Sequence, residues 1–272
     1  MVDCFGRDTA PLKDIRLFQF DLDGTVYNDG RLFPGARELF AQITAGGGHY
    51  AFITNNSSSS VADSLARVQA MGIPADEDCF FTASSATVAY LLRRHPGELI
   101  YVMGTASLVA ELERAGIRVT EEVTDEASVV LVGFDTELTS LKLRKTCDML
   151  TRRNTFLATN PDLACPASFG FIPDCGSICQ MLTNASGRRP TFIGKPAPVM
   201  VDELMRRFGC GPEETCVVGD RLYTDIAAGR NAGCVTVCVL TGEATMDTIP
   251  GDPAHPDYTL PSVLELYRAI CP

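Results

Sequence analysis

The chain has 272 residues, a length that fits one large domain or two ordinary ones, and its 46% hydrophobic and 21% charged residues place it among globular proteins. No run approaches the ~18 uninterrupted apolar residues of a membrane span, and the first ten residues, with Asp3, Arg7 and Asp8, lack the apolar block of a secretory signal, so a cytoplasmic protein without membrane contact is expected. Twenty-three Lys and Arg against 34 Asp and Glu give a net charge of −11, which argues against a non-specific grip on nucleic acid or anionic lipid.

Residues 15–20 form a short apolar run (Ile15, Leu17, Phe18, Phe20) that ends in Asp21-Leu22-Asp23-Gly24, the pattern of a strand entering a turn. Pro34 then opens a helical spacing of Ala36, Leu39, Phe40 and Ile43, closed by Gly46. Residues 50–54 read as a second strand, and Ser57 to Ser60 supply N-caps for a helix with Val61, Leu65 and Val68 on one face, stopped at Gly72. The middle third carries strands at 99–103, 129–134 and 155–159 and helices near 106–115 and 141–150, enough for an α/β domain of its own. Residues 191–194 read as the next strand of the first domain, followed by a helix opened by Pro198 and closed by Gly209, with Met200, Val201, Leu204, Met205 and Phe208 inward. Strands at 216–219 and 235–240 flank a helix from about 224 to 232. The alternation predicts an α/β fold with a parallel sheet: a core of residues 1–82 plus 188–272, split by an inserted α/β domain of residues 83–187.

Four strand ends carry the polar residues that matter. Asp21 and Asp23, two residues apart at the end of an apolar strand, are placed where open α/β sheets bind ligands, and Gly24 permits the turn that brings both carboxylates toward one point. Paired acids there suit a hard cation such as Mg2+. An EF-hand loop fails because Val26 occupies the position that needs glycine, while an Asp-Gly turn with solvated acids remains the simpler reading of this motif alone. Thr54-Asn55-Asn56, Gly194-Lys195 and Gly219-Asp220-Arg221-Leu222-Tyr223-Thr224-Asp225 add a hydroxyl, an ammonium and two more carboxylates, the parts for metal-assisted phosphoryl transfer.

In this order, Asp21-Leu-Asp-Gly-Thr, Thr54-Asn-Asn, Lys195 and Gly219-Asp-x-x-x-Thr-Asp resemble the four motifs of the haloacid dehalogenase (HAD) superfamily. The insertion between the second and third motifs, with Ala158-Thr159-Asn160-Pro161-Asp162 inside it, is similar to the NagD-like, p-nitrophenyl phosphatase-like branch of subfamily IIA, and the resemblance runs from about Ile15 to Leu266. It implies a Rossmann-like HAD core with an inserted C2a cap, and a Mg2+-dependent phosphomonoester hydrolase. In the family's pattern Asp21 attacks phosphorus to form an aspartyl phosphate, and Asp23 is the acid and base. Thr54, Asn55, Asn56 and Lys195 hold the phosphoryl group. Mg2+ rests on Asp21, the main-chain carbonyl of Asp23, and Asp220, with Asp225 supporting it directly or through water. A phosphotransferase or mutase using the same phospho-aspartate is the enzymatic alternative, and a phospho-aspartate switch the alternative from another class.

Substrate choice is expected to lie in the cap, where Asn160 and Asp162 and the segment after them face the site in the family. Residues 161–187 contain no Lys or Arg, so a neutral or nearly neutral leaving group such as a sugar, a polyol or a nucleoside is expected, a second phosphate lacking a cationic partner. Phe169 and Phe171 could stack on a substrate, and packing in the cap core is their simpler reading. Dimer contacts through the cap are compatible with its size. The eleven cysteines, an odd number and about 4% of the chain, point to a reducing compartment. Cys175 with Cys179 and Cys234 with Cys238 lack zinc spacings and read as small apolar residues. Gly46-Gly47-Gly48 follows a helix and reads as its stop, and Asp76-Glu77-Asp78 as a solvated loop.

Overall fold

The computed structural model describes residues 1–55, 61–167 and 169–271, without the side chains of residues 62, 63, 166 and 167. Asn56 and the capping serines 57–60 therefore lie outside the described residues. Among these, 1–54, 61–81 and 195–271 form one compact unit, and 55, 82–167 and 169–194 form a second.

The first unit is built on a six-stranded sheet in the order Tyr258–Leu260, Val235–Val239, Thr215–Gly219, Leu17–Phe20, His49–Thr54, Phe80–Thr82. Leu17–Phe20 is buried at every position, as a strand covered on both faces must be. It pairs in parallel with Thr215–Gly219 on one side (Phe20 opposite Val218) and His49–Thr54 on the other (Phe20 opposite Phe52). The chain runs from this central strand to one neighbour and returns much later to the other, so the order reverses at its carboxyl end, where α/β sheets open a ligand crevice. The helix Ala36–Ala45 buries Ala36, Leu39, Phe40 and Ile43, as its spacing predicts. Phe40 anchors the packing, with ring centroids 5.0 Å from Phe20 and 5.4 Å from Phe52, both edge-on.

The second unit has a five-stranded parallel sheet, Thr191–Phe192, Thr155–Ala158, Ala127–Val132, Leu99–Met103, Arg118–Thr120, and a separate antiparallel hairpin of Ala164–Ala167 with Gly170–Pro173. Its core gathers Tyr101, Val130, Phe156, Ile178 and Leu182 with the buried thiols Cys165, Cys175 and Cys179. Among the described residues no two cysteines form a disulfide.

Three expectations need correction. Residues 188–194 do not belong with the first unit: Thr191 and Phe192 pair with Leu157 and Ala158, and the Arg188 guanidinium donates to Leu150 O, Arg152 O and Asn154 Oδ1. The return to the first unit falls between Gly194 and Lys195. Thr82 likewise falls in the second unit, its hydroxyl capping the helix Ala83–Arg94 by accepting from Ser85 N. Phe169 and Phe171 are 81% and 72% exposed on the hairpin rather than in a core.

Candidate active site

Chain geometry at the carboxyl end of the central strand does most of the assembly. Asp21 N–H donates to Val218 O at 2.9 Å, extending the ladder one residue past Phe20, so Asp21 and Asp220 leave adjacent strands side by side. Gly24 has φ +86°, and a Cβ there would stand 2.8 Å from the Asp220 carboxylate. Only glycine lets the turn after Asp23 close against Asp220. Asp225 arrives from a π-helical turn, Leu222–Ile226, where the sequence pattern suggested an ordinary helix starting near 224. Its Oδ2 accepts from Arg221 N at 3.1 Å.

Asp21, Asp220 and Asp225 each offer an oxygen within 4.8 Å of the others, the latter two buried. Lys195 Nζ, 2% exposed as a residue, donates to Asp21 Oδ1 and Asp225 Oδ1, both at 2.6 Å, and to Ile53 O at 3.1 Å. Burial would depress the Lys195 ammonium, but Asp21 and Asp225 more than offset this and its pKa is raised. Burial lifts the Asp21 carboxyl to about 7, with Lys195 opposing and Asp225 and Asp220 adding to the rise. Asp220 is raised by burial and then by Asp225. Three carboxylates facing one ammonium leave surplus negative charge in a shielded place, and hard oxygen donors of that number fit a divalent cation of the Mg2+ type.

The Asp23 side chain stands outside this acidic cluster, open to solvent on one side. Burial on the other raises its carboxyl, with Arg67 and Arg221 opposing, so it keeps a proton more readily than a solvated acid. Thr54 is half-buried at the end of its strand. Asn55 is buried and turns its amide to Asp162 Oδ1 at 3.2 Å, while Asn160, fully buried, donates from Nδ2 to Asn55 O at 3.3 Å. The predicted residues thus fall into two groups: Asp21, Lys195, Asp220 and Asp225 around the carboxylates, and Asn55, Asn160 and Asp162 within the second unit.

Several supporting groups escape a reading of the sequence. The Thr25 hydroxyl donates to Asp220 Oδ1 at 3.1 Å, Glu243 N to Asp220 Oδ2 at 2.9 Å, and the Thr241 hydroxyl to Gly24 O at 2.6 Å. The first two hold the Asp220 carboxylate in one orientation, and the third ties Thr241 to the turn at Gly24. The only signal for them was position, Thr25 after Asp-Gly and Thr241-Gly242-Glu243 after a strand end.

Compared with known proteins, the chain matches the haloacid dehalogenase-like hydrolase family over residues 18–118 and a HAD-hydrolase-like family over 192–266. It is 34% identical over 246 residues to the ribonucleotide monophosphatase NagD of Escherichia coli, covering 90% of this chain and 96% of that one. It is 33% identical over 254 residues to the 5'-nucleotidase YutF of Bacillus subtilis, covering 93% and 98%. Among solved structures, a 4-nitrophenylphosphatase of Thermotoga maritima superposes with a TM-score of 0.88 at 35% identity, over 96% of this chain and 99% of that one. The chain belongs to the haloacid dehalogenase-like hydrolases, in their subfamily IIA, NagD-like branch. Its activity is that of a phosphatase on phosphomonoesters.

Proposed function

We propose that the chain hydrolyses the phosphomonoester of a small metabolite, a nucleoside monophosphate, sugar phosphate or polyol phosphate, through a phosphorylated Asp21. One observation carries this reading: the Asp21 carboxylate, at the end of the central strand, is gripped by Lys195 beside Asp220 and Asp225. Asp21, Asp220 and Asp225 would hold Mg2+, with the Asp23 carbonyl as the family's further ligand. The ion would supply positive charge to phosphoryl oxygens and keep Asp21 ionised. An Asp21 oxygen attacks phosphorus and the bond to the leaving oxygen breaks, while Asp23, whose carboxyl burial raises, protonates the departing alkoxide. Asp23, now a carboxylate, takes a proton from water, whose oxygen attacks the same phosphorus and releases inorganic phosphate and free Asp21. Thr54, Asn55 and Lys195 hold the phosphoryl oxygens through donors, and Asn56 belongs to the same proposed set. In this reading the second unit, residues 82–167 and 169–194 with Asn55, acts as the cap, and the first, residues 1–54, 61–81 and 195–271, as the catalytic core.

Phosphate release from p-nitrophenyl phosphate and a panel of monoesters, with Mg2+ or EDTA, beside Asp21→Asn, tests it. Turnover that needs Mg2+ and vanishes in the variant is expected. Turnover retained by Asp21→Asn refutes the nucleophile, and product transfer to added alcohols without phosphate release would make the chain a transferase.

A further inference from the structure

The sheet sets Asp21 and Asp220 side by side, but the Asp23 carbonyl lies beyond the ladder, in the turn that Gly24 makes at φ +86°. That turn is joined to Asp220 by a segment that comes shortly after the strand Val235–Val239, Thr241-Gly242-Glu243-Ala244. The Thr241 hydroxyl donates to Gly24 O at 2.6 Å. Two residues on, Glu243 N–H donates to Asp220 Oδ2 at 2.9 Å, and Ala244 N–H donates to Asp220 O at 2.9 Å. The Thr25 hydroxyl, next to Gly24, donates to the other carboxylate oxygen, Asp220 Oδ1, at 3.1 Å. With the short backbone stretches between them, these bonds close a ring that runs from Gly24 through Thr25, Asp220, Glu243, Gly242 and Thr241 back to Gly24. Two glycines let it close: a Cβ would stand 2.8 Å from Asp220 Oδ2 at Gly24 and 2.0 Å from the same oxygen at Gly242. The peptide between Asp23 and Gly24 is held too. Gly24 N–H donates to Tyr27 O at 2.8 Å, which in a trans peptide aims the Asp23 carbonyl the opposite way. Every member of the ring belongs to the first unit.

We infer that Thr241 and Gly242 are positioning residues of the cation site, acting through Gly24 and Asp220 to fix the spacing between the Asp23 carbonyl and the Asp220 carboxylate. The inference rests on the phosphatase reading above, which gives both groups to Mg2+. Neither residue falls in the four motifs that the sequence displays. Mg2+ demands near-octahedral oxygen donors at about 2.0–2.1 Å, so it tolerates little error in their spacing. Groups that orient metal ligands from behind are correspondingly worth roughly 10- to 100-fold in affinity. Without the Thr241 hydroxyl, Asp21 and Asp220 keep the places that the sheet gives them, while the turn loses its tie to the segment that holds Asp220. The change therefore displaces one donor relative to the others and leaves the acidic cluster in place.

Mg2+ binding is read on the substrate-free chain from the rise of Tm with Mg2+ concentration, and turnover of p-nitrophenyl phosphate is measured separately over the same range. Thr241→Val removes the hydroxyl and keeps the branched shape, and Thr241→Ser keeps the hydroxyl. The valine variant is expected to bind Mg2+ roughly 10- to 100-fold more weakly and to need as much more Mg2+ for half-maximal turnover. Its KM for the ester at saturating Mg2+ should stay within about twofold of the wild type, because the ring holds the cation's ligands and not the phosphoryl group. Serine should recover most of the affinity. Gly242→Ala, which sets a methyl 2.0 Å from Asp220 Oδ2, should weaken Mg2+ binding at least as much as valine does. If the valine variant does not fold, Thr241→Ala carries the same comparison. A merely structural role would lower Tm in EDTA and leave the Mg2+ dependence where it is. Wild-type Mg2+ affinity in a folded valine or alanine variant, a serine variant as weak as valine, or a KM that rises as far as the Mg2+ requirement would each overturn the inference. A wild-type chain that binds Mg2+ yet releases phosphate from no ester refutes the phosphatase reading instead, and the melts without substrate still decide the inference.

Discussion

Replacing Lys195 by Met keeps most of the buried stem and removes the ammonium. That ammonium stands 2.6 Å from both Asp21 Oδ1 and Asp225 Oδ1, so at an effective dielectric near 20 each contact represents about 6 kcal/mol of Coulomb attraction. Desolvating the charges consumes much of this, and removing one partner of a buried pair leaves a net loss of about 3 to 5 kcal/mol, a large part of a domain's total stability. In EDTA the Lys195→Met chain should therefore melt well below the wild type. The three carboxylates, deprived of their ammonium, have more repulsion for a cation to relieve, so Mg2+ should raise the variant's Tm further than the wild type's. Turnover should fall at least a thousandfold, since a unit charge about 4 Å from a phosphate contributes roughly 4 kcal/mol to a transition state that the variant must reach without it. Scanning calorimetry with Mg2+ or EDTA, alongside phosphate release, measures all three. A variant with wild-type Tm in EDTA and an unchanged response to Mg2+ would show that the acidic cluster carries no surplus charge, and the argument for a cation there would fail.

Asp21 makes stability depend on pH in a definite direction. Its folded pKa, about 7, lies above the ordinary 3.8, so the native state binds the extra proton between those values; this contribution is complete below about 4 and is lost as pH rises through 7. Melts in EDTA should show a falling Tm over that window, and Mg2+ should flatten the fall by replacing the proton; a Tm that rises with pH in EDTA contradicts this. Gly24→Ala sets a side chain 2.8 Å from the Asp220 carboxylate at φ +86°, so it should lose activity and Mg2+ response together, by calorimetry and phosphate release, and a fully active alanine variant would refute the close approach. The absence of Lys and Arg from residues 161–187 predicts a kcat/KM for bisphosphates well below that for monophosphates of the same alcohol, and the reverse order would reject a neutral leaving group.

Much of the acidic cluster around Lys195 was legible because each part is local. Asp21 with Asp23 and Gly24, Thr54, and Asp220 with Asp225 follow strands whose apolar runs are evident, and one parallel sheet carries those strand ends to one edge, while Lys195 reaches Asp21 and Asp225 by its own side chain. The helix Ala36–Ala45 was legible for the same reason, its buried residues repeating at i, i+3, i+4 and i+7. The helix Cys175–Ser186 was not read, since its inward face begins with the small Cys175 and Gly176 beside Ile178 and Cys179 and so has weak contrast. The two-residue strand Thr191–Phe192 was read but given to the wrong sheet, because nothing in so short a run indicates its partner.

The sequence by itself determined the α/β class, the motif residues and the kind of chemistry, since periodicity, turn glycines and the types of side chain at strand ends are properties of neighbouring residues. Only the tertiary structure decided how those residues are held. The Thr25 hydroxyl on Asp220, the grip of Lys195 on both Asp21 and Asp225, and the binding of Asn55 and Gly194 to one Asn-Pro-Asp segment join positions far apart in the chain. A side-chain hydrogen bond is settled by ångström-scale placement of two backbones, and that placement comes from packing of the whole sheet and its helices, on which no local pattern reports.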